Sequence, residues 1–329
     1  MRGTLRKLAV AAAVVAGGAG SAAAADKVTF QLDWLPGGDK APIYICVAQG
    51  VCAKEGLEVT IAPGRGSSDA LTKMAAGASD IGTAGLGSLM AAAARESVPI
   101  KALMSYMSKG PHAFFTTKDT GITAFTDIRG KSVATAPFSS SNVFMPLVLE
   151  ANGVPADSIK LTKTEPGAMA PMLMTGRVQA IVAWVTNVSS YSEQAKEAGK
   201  DLVVLPWSDV GLVMYSASLM ASDKFLKERP DVAKRFVKAY KASIELMGKD
   251  PELGAKSVAS VVPEVNAKTE IGRVKDTLPL VFNEVSKADG IGALTPERLK
   301  TTWKWVSKSQ KLEESSLDPE TIVDRSFLQ

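Results

Sequence analysis

The chain has 329 residues, with 38 Lys and Arg against 34 Asp and Glu, a single histidine and two cysteines. One histidine, His112, leaves almost no raw material for a serine or cysteine triad or for a multi-histidine metal site. The small charge excess gives no basic face for nucleic acid.

The elements are best taken from the amino terminus. Arg2, Arg6 and Lys7 form a basic start, Leu8 to Gly20 is an apolar run of small residues, and Ala23-Ala24-Ala25 precedes Asp26. This pattern predicts a signal peptide over residues 1–25, since its apolar core falls short of the ~20 residues that span a bilayer. Removal of the leader leaves 35 bases against 34 acids, a net charge of +1. An exported chain that does not span the membrane is expected, placed in the periplasm and long enough for two modest domains.

Val28 to Leu32 reads as a strand ending in Asp33 and Trp34. A Pro/Gly loop, Leu35 to Asp39, leads into a helix near Ala41-Pro42-Ile43-Tyr44. A carboxylate and an indole at a strand end face the crevice where open α/β sheets take ligands. Gly50 is expected to stop that helix in left-handed geometry, which brings Cys46 and Cys52 into one turn region. Both a disulfide and two buried thiols fit this spacing. A strand at Glu58–Ala62, the loop Pro63–Ser68 and a helix ending at Gly77 follow. Then come a strand at Ser79–Thr83, the turn Ala84–Ser88, and a helix to about Arg95. Gly64-Arg65-Gly66-Ser67-Ser68-Asp69 lacks the third glycine of a dinucleotide fingerprint, and no phosphate loop of the Gly-x-x-x-x-Gly-Lys-Ser/Thr type occurs.

Ile100–Met107 and Ala113–Thr117 read as extended. A second α/β unit then begins, with a strand at Ser132–Thr135, the loop Pro137–Ser141 and a helix from Asn142 to Ala151. A strand at Ser158–Lys163, a helix from Gly167 to Thr175 and the apolar strand Gln179–Trp184 complete it. Leu202–Leu205 and Leu212–Tyr215 are again extended. Such alternation argues for parallel or mixed sheets with helices on both faces. Beyond Ser222 the chain turns helical and amphipathic (Val232–Leu246, Leu253–Val261, Val274–Glu284 and Pro296–Lys308), with Trp303 and Trp305 expected in packing.

Helix starts carry unpaired amides that attract oxyanions. Three lie after strands: Gly66-Ser67-Ser68, Thr83-Ala84-Gly85, and Ser139-Ser140-Ser141 before Asn142. Each alone is an ordinary cap worth about 1 kcal/mol; three at strand ends in two units point to a polar ligand. Trp34, Phe138 and Trp184 offer aromatic faces for a flat one. Asp33, Glu165 and Asn187 are the remaining polar candidates.

The stretches LDW…APIY (Leu32 to Tyr44), KEGLEV (Lys54 to Val59), SDIGTAG (Ser79 to Gly85), DIRGKSVAT (Asp127 to Thr135) and GRVQAIVAW (Gly176 to Trp184) resemble the solute-binding family of thiamine-pyrimidine-precursor, sulfonate and nitrate uptake. The resemblance implies a type II periplasmic-binding-protein fold: two α/β lobes joined by two crossing strands, with a helical C-terminal buttress. Lobe 1 is expected over 26–115 plus 212–329 and lobe 2 over 116–211. It further implies a monomer that captures a small organic solute without a cofactor. That solute, a pyrimidine precursor or a small organic anion, would be delivered to an ABC permease with a separate ATPase. The chain departs from the family pattern at Lys40, just before APIY, and at Gly50-Val51-Cys52, which lacks the usual aromatic pair. Two other roles share the resemblance. One is a thiamine-pyrimidine synthase, whose cysteine-rich iron motif and active-site histidine have little counterpart here. The other is a ligand sensor for a membrane receptor.

Overall fold

A computed structural model describes residues 24–328. The leader expected over 1–25 lies outside the described residues except for Ala24 and Ala25. Four strands come first: β1 (Asp26–Gln31), β2 (Leu57–Ala62), β3 (Ile81–Gly85) and β4 (Ile100–Ser105). Next are β5 (His112–Thr117), β6 (Ser132–Thr135), β7 (Lys160–Lys163), β8 (Ala180–Trp184) and β9 (Leu202–Pro206). β10 (Ala217–Ser222) returns to the first sheet.

The sheets run β2-β1-β3-β10-β4 and β7-β6-β8-β5-β9. Their centres are parallel (β1 with β2 and β3, β6 with β7 and β8), while β10 and β5 pair antiparallel to their neighbours. β5 and β10 are the strands by which the chain enters the second sheet and comes back. β5 pairs along its length with β8 and β9. Residues 112–115, assigned to lobe 1 on sequence, therefore lie in the second sheet.

Helix Pro230–Lys249 shows why the first sheet is covered. Its apolar residues recur at helical spacing, and Phe236 and Tyr240 lie on Phe30 of β1 at centroid distances of 5.7 and 5.8 Å. Burial of each such ring stabilises the fold by about 1.5–3 kcal/mol. A second cluster is shared by both halves. Leu86 and Leu89 of helix Leu86–Ala93 meet Phe144 of helix Ser141–Ala151 and Trp303 of helix Pro296–Gln310. Gln310 Nε2 donates to the Val143 carbonyl at 2.9 Å. Helix Pro230–Lys249 thus buttresses the first sheet, while helix Pro296–Gln310 bridges the halves.

Three expectations are corrected. Leu212–Tyr215 pairs with no strand; Leu212, Met214 and Tyr215 are buried while Val213 is exposed, and the Tyr215 N–H donates to Thr302 Oγ1 of the carboxy-terminal helix at 3.1 Å. The helix expected at Val274–Glu284 runs Ala267–Val281, because Asn266 caps it and an interior Pro279 is tolerated. Helix Val188–Glu197 was not anticipated, since only Tyr191 and Ala195 of its ten residues are buried and the apolar period is too sparse to see.

Cys46 and Cys52 are joined as a disulfide. Gly50 stands between them in the left-handed region, at φ 67°, and turns the chain back after helix Ala41–Ala48. The bond closes a short loop, for which the chain-entropy relation gives about 2 kcal/mol. The Cys46→Ala/Cys52→Ala double variant should lose about that much in urea unfolding, and a denatured thiol count on the wild-type protein should find none free. Two free thiols would remove the bond.

Candidate ligand-binding cleft

The carboxyl ends of β1 and β3 face those of β6 and β8 across a cleft with about 370 Å³ of empty space, part of it open to solvent. Asp33, Trp34, Asp39 and Ser67 line it from the first half; Ser139, Ser140, Val182, Ala183, Trp184 and Asn187 line it from the second.

Asp33 sits two residues past β1 and is 2% exposed. Its Oδ1 accepts from Thr83 Oγ1 at 3.0 Å and lies 2.6 Å from Lys40 Nζ. Its Oδ2 is buried with no protein partner, and so is Ser140 Oγ on the opposite wall. A buried polar atom left without a partner costs about 1–3 kcal/mol, more when it is charged, so this carboxylate oxygen and this hydroxyl, on residues that line one cleft, mark places where a ligand's polar groups would be stabilised.

Behind this floor is a chain of buried charges. Lys40 Nζ is also 3.1 Å from Asp39 Oδ2 and 4.9 Å from the centre of the Trp184 ring, and it has no well-aligned hydrogen bond. Asp39 Oδ1 accepts from Arg273 Nη2 at 2.8 Å, and Arg273 Nη1 is 3.4 Å from Glu270 Oε2. The Gly38 N–H donates to Glu270. Any side chain on Gly37 would collide with the Arg273 guanidinium, and one on Gly38 with the Glu270 carbonyl, so the glycine pair is what admits helix Ala267–Val281.

Burial pushes the Asp39 carboxyl up, yet Lys40 and Arg273 outweigh it and hold the group below the ordinary carboxylate range. Burial likewise disfavours the Lys40 ammonium, but Asp33 and Asp39 outweigh it and keep the lysine charged. For Glu270 burial wins, and the carboxyl lies above its usual value in spite of Arg273. His112 is buried behind Trp184, with Nδ1 2.8 Å from Ser141 Oγ; burial pushes its pKa down to about 3 and keeps it neutral.

The three helix starts do not form an anion cradle. The Ser68 N–H donates to the Phe138 carbonyl at 3.2 Å, across the two halves, beside Gly66. Ser67 Oγ accepts from the Gly85 N–H at 2.9 Å. Thr83 stands behind Asp33, and Ala84 is buried in β3, paired with Ser218. Phe138 lies under Arg65, at 5.2 Å, and Ser141 is occupied by His112. Asn142 accepts from Thr135 and donates to the carbonyls of Ala136 and Pro137. Glu165 is exposed, 3.8 Å from Arg65. The Ser68 and Gly85 amides and the Ser67 and Ser141 hydroxyls are used to close the protein on itself, whereas Ser140 Oγ keeps no protein partner.

Seven of the expected residues do meet at the cleft: Asp33, Trp34, Ser67, Ser139, Ser140, Trp184 and Asn187. Sequence reasoning missed Asp39, Val182 and Ala183 among the lining, and the Arg273–Glu270 pair behind it. The adjacent charges Asp39-Lys40 before an apolar helix were a local signal. Arg273 and Glu270, on a helix that looks like any amphipathic one, offered none.

Residues 38–253 match the family model described as NMT1/THI5 like. The chain belongs to the NMT1/THI5-like family. Among related members, the riboflavin-binding protein RibY of Chloroflexus aurantiacus is 22% identical over 275 residues, covering 81% of this chain and 76% of that one. The Saccharomyces cerevisiae protein named 4-amino-5-hydroxymethyl-2-methylpyrimidine phosphate synthase THI13 is 24% identical over 251 residues, 73% of each chain. Among solved structures, the alkanesulfonate-binding protein SsuA of Xanthomonas axonopodis pv. citri, bound to MOPS, superposes with a TM-score of 0.72 at 14% identity, over 92% of this chain and 99% of that one. This NMT1/THI5-like chain therefore has the periplasmic-binding-protein fold. Among the described residues no helix is long and apolar enough to cross a membrane.

Proposed function

We propose that this protein is the extracytoplasmic solute-binding component of an ABC importer, a monomer that closes two lobes on a small planar nitrogen heterocycle. The observation that carries the reading is the pair of buried, unpartnered acceptors Asp33 Oδ2 and Ser140 Oγ, on opposite walls of a cleft flanked by the indoles of Trp34 and Trp184. Asp33 would accept from a ligand N–H, Ser140 and Asn187 would meet its other polar edge, and the indoles would pack on its ring. A small anion is less well served than the sequence suggested, because the Ser68, Gly85 and Ser141 amides are already taken. Relatives named for riboflavin and for a pyrimidine fit a flat heterocycle.

The relatives named as synthases raise an enzymatic reading. Here the one histidine is turned to Ser141 and held neutral, and both cysteines are tied to each other. The cleft's carboxylates are engaged by Lys40 and Arg273. These observations favour capture over chemistry.

Ligand released from protein purified out of the periplasm should be identifiable by mass spectrometry as a planar heterocycle. Added back at 100 times its dissociation constant, it should stabilise the protein by about 2.7 kcal/mol. Trp34→Ala and Trp184→Ala should each weaken its binding roughly 10-fold or more, since each removes ring contact and apolar burial. Unchanged affinity in both variants would displace the ligand from this cleft.

A further inference from the structure

We propose that Lys40 sets the charge selectivity of the cleft: its ammonium occupies the carboxylate-and-indole arrangement that a cationic ligand would seek, so the cleft admits an uncharged ring and rejects a permanently cationic one. The inference rests on the reading of the cleft as a ligand site. A cation is held best between carboxylates and over an indole face. Asp33, Asp39 and Trp184 form such a box, and Lys40 Nζ is inside it, 2.6 Å from Asp33, 3.1 Å from Asp39 and 4.9 Å from the Trp184 ring centre. Lys40 is not among the residues that line the cleft. It therefore acts through the groups that do, as a positioning residue.

Two features make this more than a buried ion pair. Among the described residues, Lys40 and Arg273 are the only buried lysine and arginine, and both serve this one cluster. Arg273 is turned to Asp39 and Glu270, which leaves Lys40 as the sole partner of opposite charge to Asp33. Without Lys40 the cleft floor would hold Asp33 uncompensated beside an indole, a site for a cation. The contact also reaches between halves, from the first-sheet loop to Trp184 at the end of β8, so the lysine fills the box when the two walls are together.

The test uses a matched pair of probes at pH 8, where the first is uncharged: 4-amino-5-hydroxymethyl-2-methylpyrimidine and its N1-methylated, permanently cationic form. Affinities of the full-length mature protein are measured by calorimetry for wild type, Lys40→Met, and Lys40→Met/Asp33→Asn. Wild type should favour the neutral probe. Lys40→Met should shift the cation-to-neutral affinity ratio towards the cation at least 10-fold. The double variant removes one charge of each sign and should return the ratio to the wild-type side, although it leaves the same extra room as the single one. Its result decides between charge and space, and it stands alone should Lys40→Met fail to fold. A neutral probe bound with an unchanged ratio in Lys40→Met, or a double variant that prefers the cation, overturns the role of Lys40 and leaves the cleft assignment standing. Binding of neither probe by any variant overturns both.

Discussion

Replacing Arg273 with methionine should cost about 3–5 kcal/mol of folding stability at pH 7.5, the usual loss when one partner of a buried ion pair is removed. The guanidinium is buried, holds Asp39 at 2.8 Å and Glu270 at 3.4 Å, and lies against the backbone of Gly37. Methionine fills most of the stem's volume, so the loss reports charge rather than packing. It leaves Asp33, Asp39 and Glu270 with Lys40 alone. The deficit should shrink as pH falls. In the folded wild type, burial already raises the Glu270 carboxyl above its unfolded value, and loss of Arg273 raises it further. Between the unfolded and folded values the folded state then binds a proton that the unfolded state lacks, so the variant gains stability as pH falls through that window. Urea titrations at pH 7.5 and 5.5 measure both effects. A loss under about 1 kcal/mol at pH 7.5 would mean that the cluster is not what anchors helix Ala267–Val281 to the Gly37-Gly38 loop.

Gly85→Val should abolish ligand capture, by about 100-fold or more in affinity, while leaving the unliganded fold within about 1 kcal/mol of wild type. Gly85 has ordinary extended backbone, φ −68° and ψ 127°, so a β-branched residue is tolerated locally. What a side chain there would meet lies on the other wall: a Cβ would stand 2.7 Å from Ser140 Cβ and 3.1 Å from Ser140 Oγ. Ser67 Oγ, on its own side, is at 3.3 Å. The substitution is a wedge between lobes. If capture requires the walls to approach by hinge closure, the variant stays open, and small-angle scattering with ligand should show no contraction. Wild-type affinity in Gly85→Val would mean that the ligand is held without closure.

Much of the cleft was legible in the residues. Asp33-Trp34 at one strand end and Trp184 at another were visible because an apolar run, alternating over Val28–Leu32 and continuous over Ala180–Ala183, that stops at a polar or aromatic residue marks a strand end. The serine loop at Ser139–Ser140 was visible because short polar residues precede a helix. The same logic over-reached at Ser68, Ser141 and Asn142. A free amide or hydroxyl looks alike in sequence whether it meets a ligand or the Phe138 carbonyl, His112 or Thr135. Helix Val188–Glu197 was invisible for the opposite reason, since few of its residues are buried and it has almost no apolar face to count.

By itself the sequence determined the alternation of strands and helices, the family, and the two walls that carry Asp33 and Trp184. These follow from local pattern, because hydrophobic period, caps and turn residues act within a dozen positions. Only the tertiary structure decided the character of the cleft. It placed Arg273 and Glu270 some 230 residues along the chain beside Asp39 and Gly38, tied the Ser68 amide to the Phe138 carbonyl across the lobes, and set Lys40 against Asp33 under Trp184. Charge compensation in a buried site depends on distances in space and on the exclusion of water, and neither is encoded in the spacing of residues along the chain.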